Sequence, residues 1–160
     1  MIFVTVGTNE APFDRLLRAI GELRPADRIV AQCGASSVRP FGAECIDFMP
    51  FDTVAAHARS ARIVICHAGV GSVMVALMQG KRPLVVPRLH RFGEAVDDHQ
   101  LAFARRFHDA GLVRLVEDPA DLGAAIGEVP HGPPLPATEA SGLALELRAY
   151  LEVAVNGTAA

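Results

Sequence analysis

Short β-branched runs alternate along the chain with longer segments that have the apolar spacing of a helix, and this alternation constrains the fold more than any other feature. The first run, Ile2–Val6, ends at a glycine, and apolar side chains then recur at helical spacing from Phe13 to Leu23. Further strand candidates lie at 28–32, 45–48, 63–66, 84–86 and 112–116. The pattern predicts an α/β fold, a single Rossmann-like domain built on a mainly parallel, doubly wound sheet.

The predicted helices complete this layout. They lie at 52–59, 72–79, 98–110 and 119–126, with Asp52 as an N-cap and Gly80 and Gly111 as terminators. The first helix is expected to expose Asp14, Arg15, Arg18 and Glu22 to water. We divide the chain into a Rossmann-like core at 1–128, a Pro-rich linker at 129–136, a packing helix at 137–154 and a tail at 155–160.

Charge and cysteine usage narrow the function classes. With 15 Lys and Arg against 18 Asp and Glu, the chain lacks the basic surplus of a nucleic-acid-binding protein, so we expect no nucleic-acid partner. Cys33, Cys45 and Cys66 have no metal-binding spacing and are expected to be reduced. The opening MIFVTVGT does not resemble a secretory signal, and the longest apolar stretch, 63–78, is too short for a membrane span. We therefore expect a cytoplasmic protein.

The turn Gly7-Thr8-Asn9 follows the first strand, where a parallel sheet binds its ligands. Glycine permits close approach of the backbone to a ligand, and the Thr and Asn side chains can donate hydrogen bonds to phosphate or sugar oxygens. The turn has neither the dinucleotide-binding nor the P-loop pattern. A tight turn with Asn9 as a cap is the alternative interpretation.

A stronger candidate is the segment His67 to Ser72, which leads from a strand into a helix. The segment contains two glycines, Gly69 and Gly71, and Ser72 is the predicted N-cap. At this helix start, free N–H groups and the helix dipole would form an anion site. Alternatively, the glycines only let a buried helix pack on the sheet. His67 is ambiguous, because a histidine at a strand end is often a structural group.

The third candidate is the run 93–100, which gathers polar side chains at the start of a helix. Glu94, Asp98, His99 and Gln100 suit a hydroxyl-rich ligand. Asp98 could instead be only an N-cap, and Asp97 a surface charge that complements the helix dipole. Consecutive residues project in different directions, so we expect no metal.

These loops, in this order, carry a family resemblance. The stretch HAGVGSVMVALMQGKRPLVVPRLHRFGEAVDDHQLAFARRF resembles the core of the glycosyltransferase family 28 C-terminal domain, the donor-binding half of a GT-B fold. The MIFVTVGT opening, followed by PFDRLL, and the GE-x-x-x-DHQ ending are similar to the small subunit of two-component UDP-sugar transferases of N-glycan and bacterial exopolysaccharide synthesis. The motifs cover residues 1–116.

The resemblance implies an inverting transfer of a sugar from a UDP-sugar to a lipid-linked acceptor, with no metal or other cofactor. Within it, the loop at 69–72 holds the diphosphate, His99 and Gln100 contact the donor sugar, and residues 87–89 lie near the uracil. The implied donor-binding residues are Gly7, Thr8, Asn9, His67, Gly69, Val70, Gly71, Ser72, Glu94, Asp98, His99 and Gln100. His67 and Glu94 are candidates for a catalytic contribution, and the catalytic base is not identified.

One position departs from the family pattern. Many members carry an acidic residue for the ribose hydroxyls where this chain has Val75, which favours the exopolysaccharide branch and widens the choice of donor sugar. The resemblance also implies a membrane-anchored partner subunit that binds the acceptor and recruits the chain to the cytoplasmic face of a membrane. In the absence of this partner, a homodimer is the alternative assembly. The competing functions are a non-catalytic UDP-sugar-binding or regulatory module and, more weakly, a UDP-sugar epimerase.

Overall fold

The computed structural model describes residues 1–129, which form six strands and five α-helices. They are β1 (Ile2–Thr5), α1 (Asp14–Glu22), β2 (Ile29–Gln32), β3 (Ala43–Ile46), α2 (Phe51–Ser60), β4 (Ile63–His67), α3 (Val70–Met78), β5 (Leu84–Val86), α4 (His99–Asp109), β6 (Arg114–Leu115) and α5 (Leu122–Gly127). The predicted packing helix, the tail and all but the first residue of the predicted linker lie outside the described residues.

The strands form one sheet in the order β3-β2-β1-β4-β5-β6, and every neighbouring pair is parallel. This arrangement confirms the predicted fold class. β1 lies between β2 and β4, so that Thr5 is paired with Gln32 on one side and with Cys66 on the other. The order reverses between β1 and β4, and the first connections from these two strands run to opposite halves of the sheet.

Both faces of the sheet are covered, because successive side chains of a strand point to opposite faces. Ile2, Val4 and Val6 pack with α1 and α5 on one face, whereas Phe3 packs with α2 and α3 on the other. α3 also packs against α4 through a cluster that includes Phe103 and Phe107. The continuous apolar runs of the central strands thus reflect burial on both faces.

Several predicted boundaries were wrong. β3 begins at Ala43, two residues before the predicted start, and leaves Phe48 outside the strand with its side chain exposed. β6 is confined to Arg114–Leu115 rather than 112–116. Asp52 is not the N-cap of α2, because Pro50 occupies that position and its carbonyl accepts from the N–H groups of Thr53 and Val54. Proline presets the turn and so starts the helix one residue earlier.

The predicted helix terminators are confirmed. Gly80 has a φ of +68° and Gly111 a φ of +77°, a backbone region that favours glycine. In the turn at Gly80, the Lys81 N–H donates to the Ala76 carbonyl at 3.0 Å and the Gly80 N–H donates to the Leu77 carbonyl at 2.9 Å. This hydrogen-bond pair is the Schellman motif.

The cysteines are free thiols, as predicted, with Cys33 and Cys66 buried and Cys45 half-buried. Burial raises the pKa of Cys33 and of Cys66 to about 12. Between residues 1 and 129, no helix is both long and apolar enough to cross a lipid bilayer.

Candidate functional site

The reversal of strand order between β1 and β4 opens a cleft at the carboxyl edge of the sheet, where parallel sheets bind ligands. Its volume is about 430 Å³. We call it the β1/β4 cleft, and its lining consists of Thr5, Gly7, Thr8, Gln32, Met49, Phe51, Val54, His67, Gly71, Ser72 and Val75. None of these described lining residues is Asp or Glu, so no carboxylate of the lining repels a bound anion.

The cleft brings together five of the residues predicted from the sequence, namely Gly7, Thr8, His67, Gly71 and Ser72. Asn9 follows them on the chain but is exposed, and its side-chain oxygen accepts from the Ala11 N–H at 2.8 Å. That hydrogen bond is the tight turn of the alternative interpretation. Both interpretations of the first predicted loop therefore hold for part of it: Gly7 and Thr8 face the cleft, and Asn9 forms the turn.

α3 begins at the cleft with an uncapped N-terminus. The N-cap is Gly69, with an extended backbone, and no side chain caps the helix. Ser72 was wrongly predicted as the N-cap, because the helix starts at Val70 and places Ser72 in its first turn. The first N–H groups of a helix have no partner within it, and they carry the positive end of the helix dipole. The start of α3 can therefore bind an anion.

The two glycines of this loop, Gly69 and Gly71, have different structural roles. A Cβ atom at Gly69 would lie 2.1 Å from Nε2 of His67, so Gly69 is needed to seat that ring. A Cβ atom at Gly71 would have no neighbour within 4 Å. Packing on the sheet therefore does not explain Gly71, and the glycine leaves open space in the cleft next to the free N–H groups.

His67 is half-buried between the glycines of two loops. A Cβ atom at Gly7, where φ is +79°, would lie 2.3 Å from Cε1 of the ring. Nδ1 is fully buried and has no hydrogen-bond partner among residues 1–129. Burial and, to a lesser extent, the charge of Arg88 lower the pKa of His67 to about 4, while the backbone of Thr5 acts in the opposite direction. The imidazole is therefore neutral near pH 7.

The floor of the cleft is a short polar network that the sequence analysis missed. The Gly7 N–H donates to Oγ1 of Thr5 at 3.2 Å, and the Thr5 hydroxyl donates to Oε1 of Gln32 at 2.6 Å. Met49, Phe51 and Val54 were missed as well. Thr5 and Gln32 could have been found, because each is a polar residue at the carboxyl end of an otherwise apolar buried strand.

Beside the cleft, Arg88 follows β5 and is fully buried. Its guanidinium donates to the carbonyls of Val6 and Ala11, both at 2.8 Å, and to those of Pro12 and Glu94, both at 3.3 Å. Arg88 thus ties the loop after β1 to the loop after β5. Pro87, Arg88 and Leu89, predicted to lie near the uracil, are buried and do not line the β1/β4 cleft.

Glu94 takes part in the same set of hydrogen bonds as Arg88. Its carboxylate is buried, accepts from Nε and Nη2 of Arg15 at 3.0 and 2.9 Å, and also accepts from the Leu89 N–H at 3.1 Å. Arg15 was predicted to face water, yet its side chain is only 20% exposed because it reaches over to this carboxylate. Both oxygens of Glu94 are engaged, an arrangement suited to shaping the loop rather than to proton transfer.

The start of α4 is also hydrogen-bonded within the protein. Asp98 is the N-cap by position, but its carboxylate accepts from the His90 N–H at 2.8 Å instead of capping the helix. Gln100 is buried, and its Oε1 accepts from the Arg88 N–H at 3.1 Å. His99 is exposed and contacts the Asp97 carboxylate. We call Arg88, Glu94, Arg15 and Gln100, with the groups they bind, the Arg88 network.

Two further cavities, of about 540 and 410 Å³, border this network. They share Arg15, Phe92 and Asp118, and each mixes basic with acidic side chains. Glu94 lines the larger and Asp98 the smaller. Within residues 1–129, no three His, Cys, Asp or Glu side chains come together in an arrangement that could hold a metal ion.

The sequence matches a family model and curated proteins. The model of the glycosyltransferase family 28 C-terminal domain matches residues 1–149. The UDP-N-acetylglucosamine transferase subunit ALG13 of Homo sapiens is 32% identical over 123 residues, which make up 69% of this chain and 10% of that protein. The UDP-N-acetylglucosamine–N-acetylmuramyl-(pentapeptide) pyrophosphoryl-undecaprenol N-acetylglucosamine transferase of Ralstonia nicotianae is 35% identical over 99 residues, 62% of this chain and 25% of that protein. The chain thus spans a quarter or less of these relatives.

Solved structures share the fold at lower sequence identity. The glycotransferase of kitacinnamycin has a TM-score of 0.61 and 24% identity, and the alignment covers 92% of this chain and 39% of that one. MurG of Acinetobacter baumannii has a TM-score of 0.52 and 23% identity, over 78% of this chain and 40% of that one. Both are GT-B glycosyltransferases. The fold described here corresponds to about two fifths of each of them.

Proposed function

Because the chain belongs to the glycosyltransferase family 28 C-terminal domain family, we propose that it is the donor-binding subunit of a glycosyltransferase that uses a UDP-sugar. One observation of the structure carries this proposal. The uncapped N-terminus of α3 faces a cleft without acidic lining, and the open space at Gly71 admits a diphosphate next to the free N–H groups.

The remaining walls of the cleft suit the nucleoside. Met49, Phe51, Val54 and Val75 form an apolar side that can cover a flat base, whereas Gly7, Thr8 and Ser72 lie at the polar side. A UDP group placed with its diphosphate at the start of α3 therefore has its uridine toward Met49 and Phe51. Both curated relatives are N-acetylglucosamine transferases by name, which supports UDP-N-acetylglucosamine as the first donor to test, with UDP-glucose and UDP-glucuronate as comparisons.

The proposed reaction is an inverting transfer without a metal ion. When the sugar leaves UDP, negative charge develops on the diphosphate, and the N–H groups and dipole at the start of α3 stabilise that charge. His67 is neutral and its Nδ1 is buried, while both oxygens of Glu94 are bound within the protein. We therefore assign the general base, which an inverting transfer needs near the acceptor hydroxyl, to the partner subunit.

We propose that this partner is anchored in a membrane, binds a lipid-linked acceptor and recruits the chain to the cytoplasmic face. The word "subunit" in the name of the human relative and "pyrophosphoryl-undecaprenol" in that of the Ralstonia protein support this organisation. So does the share of the solved relatives that the chain matches, about two fifths, which leaves room for an acceptor-binding half.

The test is a titration of the full-length chain with UDP by calorimetry, followed by assays of sugar transfer with and without the partner. We expect one UDP site per chain, and transfer from UDP-N-acetylglucosamine to a lipid-linked acceptor only when the partner is added. Failure to bind UDP would overturn the donor-binding assignment. Full activity of the chain alone would overturn the two-subunit assignment.

A second candidate function is a non-catalytic UDP-sugar-binding or regulatory module. The observation that favours it is Val75, which stands in the cleft wall and offers no carboxylate to the ribose hydroxyls. Replacement of the exposed His99 by alanine separates the two functions. If the chain is a donor subunit, the variant loses sugar transfer while its complex with the partner stays intact. If it is a non-catalytic module, neither the unaltered chain nor the variant supports transfer.

A further inference from the structure

Gln32 stands at the floor of the β1/β4 cleft without a role in the proposed function. It is the last residue of β2, lies beside Thr5 of β1 in the sheet, and is only 2% exposed. A buried amide side chain has one acceptor oxygen and two N–H donors to satisfy. The partners of these groups show which part of the side chain faces the ligand.

The hydrogen bonds around Thr5 orient the amide. The Thr5 hydroxyl oxygen accepts from the Gly7 N–H, and its proton is donated to Oε1 of Gln32. Oε1 is therefore directed at Thr5, and Nε2 is the atom left over. Among residues 1–129, Nε2 makes no hydrogen bond.

Nε2 is nevertheless not sealed in the core. The fully buried side-chain polar atoms that lack a partner, in the part of the chain that the structure describes, are Nη1 of Arg62, Nδ1 of His67 and Nε of Arg88. Nε2 of Gln32 is not one of them, so it keeps access to solvent. Because Gln32 lines the β1/β4 cleft, that access opens into the cleft. An amide donor without a partner in the protein thus faces the ligand space.

The surroundings of this donor are those of the nucleoside rather than of the diphosphate. Met49, Phe51 and Val75 give the neighbouring wall an apolar surface, and Val75 supplies neither a donor nor an acceptor. The anion site at Gly71 is in the first turn of α3, and Val75 lies one turn farther along the same helix, toward the apolar wall. Burying the polar oxygens of a nucleoside against the apolar wall requires a donor from another direction, and Gln32 supplies one.

We propose that Gln32 recognises the nucleoside of the donor, with its Nε2 group donating a hydrogen bond to an acceptor oxygen of the uridine. The acceptor is a carbonyl of the base or a hydroxyl oxygen of the ribose, both of which present the same lone-pair chemistry. Gln32 then determines nucleotide specificity, and the start of α3 supplies affinity for the diphosphate. This inference rests on the proposed binding of UDP.

The test compares UDP with inorganic pyrophosphate, which lacks the nucleoside, in titrations of the full-length chain. Gln32→Met keeps the length of the side chain and removes its amide. We expect UDP affinity to fall about tenfold, the effect of one lost hydrogen bond to a buried polar group, and pyrophosphate affinity to stay within about twofold. 2′-Deoxy-UDP narrows the choice of acceptor, because the tenfold effect disappears with this ligand if the contact is to the 2′-hydroxyl and persists if it is to the base or the 3′-hydroxyl.

Thr5→Val is the matched control. It removes the same Thr5–Gln32 hydrogen bond from the other side and leaves the amide in the cleft. If Gln32 only supports the turn at Gly7, both substitutions weaken UDP and pyrophosphate in parallel. The inference requires instead that the ratio of UDP to pyrophosphate affinity falls in Gln32→Met and is retained in Thr5→Val.

A measurement on the unaltered chain covers the case in which Gln32→Met does not fold. The side-chain NH₂ signals of Gln32 in a ¹⁵N-correlated NMR spectrum should shift on addition of UDP and stay in place with pyrophosphate. Binding of UDP without any shift of these signals, or an unchanged UDP affinity in a folded Gln32→Met, overturns the inference and leaves the proposed function standing. Absence of UDP binding to the unaltered chain overturns both.

Discussion

The β1/β4 cleft and the Arg88 network lie side by side at the same edge of the sheet, yet most polar groups of the network have partners within the protein and several of the cleft do not. In the cleft, the start of α3 is uncapped, Gly71 leaves open space, and the amide nitrogen of Gln32 has no partner among residues 1–129. In the network, the Arg88 guanidinium binds four carbonyls and both oxygens of Glu94 are engaged.

This difference indicates two roles, ligand binding for the cleft and structural support for the network. Polar groups buried without a partner are costly, so a cleft that keeps donors free is stabilised when a ligand binds them. A network that satisfies most of its polar groups, Nε of Arg88 excepted, gains little from a ligand but holds two loops in place. We conclude that the cleft binds the donor nucleotide and that the Arg88 network fixes the loops that shape the cleft.

The largest effect is expected from Arg88→Met. Removal of the guanidinium leaves the buried carbonyls of Val6 and Glu94 and the half-buried carbonyl of Ala11 without their donor, which should lower the free energy of unfolding by about 4 kcal/mol. Chemical denaturation measures this loss. Arg105→Met, which breaks an exposed pair with Glu117, is the control and should cost less than about 1 kcal/mol. Equal losses in the two variants would contradict a supporting role for Arg88.

Acidification should destabilise the protein through His67. The folded pKa of His67 is about 4 and the unfolded value is 6.5, so between these values the unfolded chain binds more protons than the folded one. Stability therefore falls as the pH drops from about 6.5 through 4, by on the order of 3 kcal/mol once the ring is protonated in both states. Denaturation curves of the unaltered chain and of His67→Gln measure the difference, and identical pH profiles would rule out His67 as the source.

Gly71→Leu should abolish UDP binding without harm to the fold. The Cβ atom meets no described atom within 4 Å, and the longer side chain would occupy the space beside the free N–H groups, so we expect at least a hundredfold loss of affinity, about 2.7 kcal/mol. The melting temperature should be unchanged or higher, because glycine is a poor helix former. Gly127→Leu at the end of α5, where the space is also open, is the matched control and should bind UDP normally.

The smallest effect is expected from Glu94→Gln. Loss of the ion pair with Arg15 should lower stability by about 1–2 kcal/mol and leave UDP affinity within about threefold, because Glu94 supports a loop and does not line the β1/β4 cleft. Denaturation and calorimetry test both parts. A loss of transfer by three orders of magnitude at unchanged stability and UDP affinity would show that Glu94 is a catalytic group and would break the division.

The sheet and the family were predictable from the sequence, whereas the partners of single side chains were not. The alternation of strands and helices and the stops at Gly80 and Gly111 depend on local backbone preferences, which neighbouring residues determine. The pairing of Arg15 with Glu94 spans 79 positions, and no local pattern indicates it. Ser72 was misplaced as an N-cap because Gly69, which lets His67 pack, starts the helix earlier.

The candidate site was predictable to the extent that it follows from strand ends. Gly7, Thr8, His67, Gly71 and Ser72 come directly after β1 and β4 or at the end of β4, so topology alone brings them together. Glu94 and Gln100 also follow a strand, yet their side chains turn to Arg15 and Arg88 instead of the cleft. Strand order identifies the edge at which a ligand binds, and only side-chain packing decides which residues of that edge stay free for it.

The most direct test of the division is an NMR titration of the full-length chain with UDP, followed through its backbone amide signals. The account predicts the largest shifts at Val70, Gly71 and Ser72, where free N–H groups would bind the diphosphate, with further shifts at Gly7 and Thr8. The signals of Arg15, Phe92 and Asp118 should move little. Shifts centred on those three residues, with the start of α3 unaffected, would place the nucleotide in the neighbouring cavities and contradict the account.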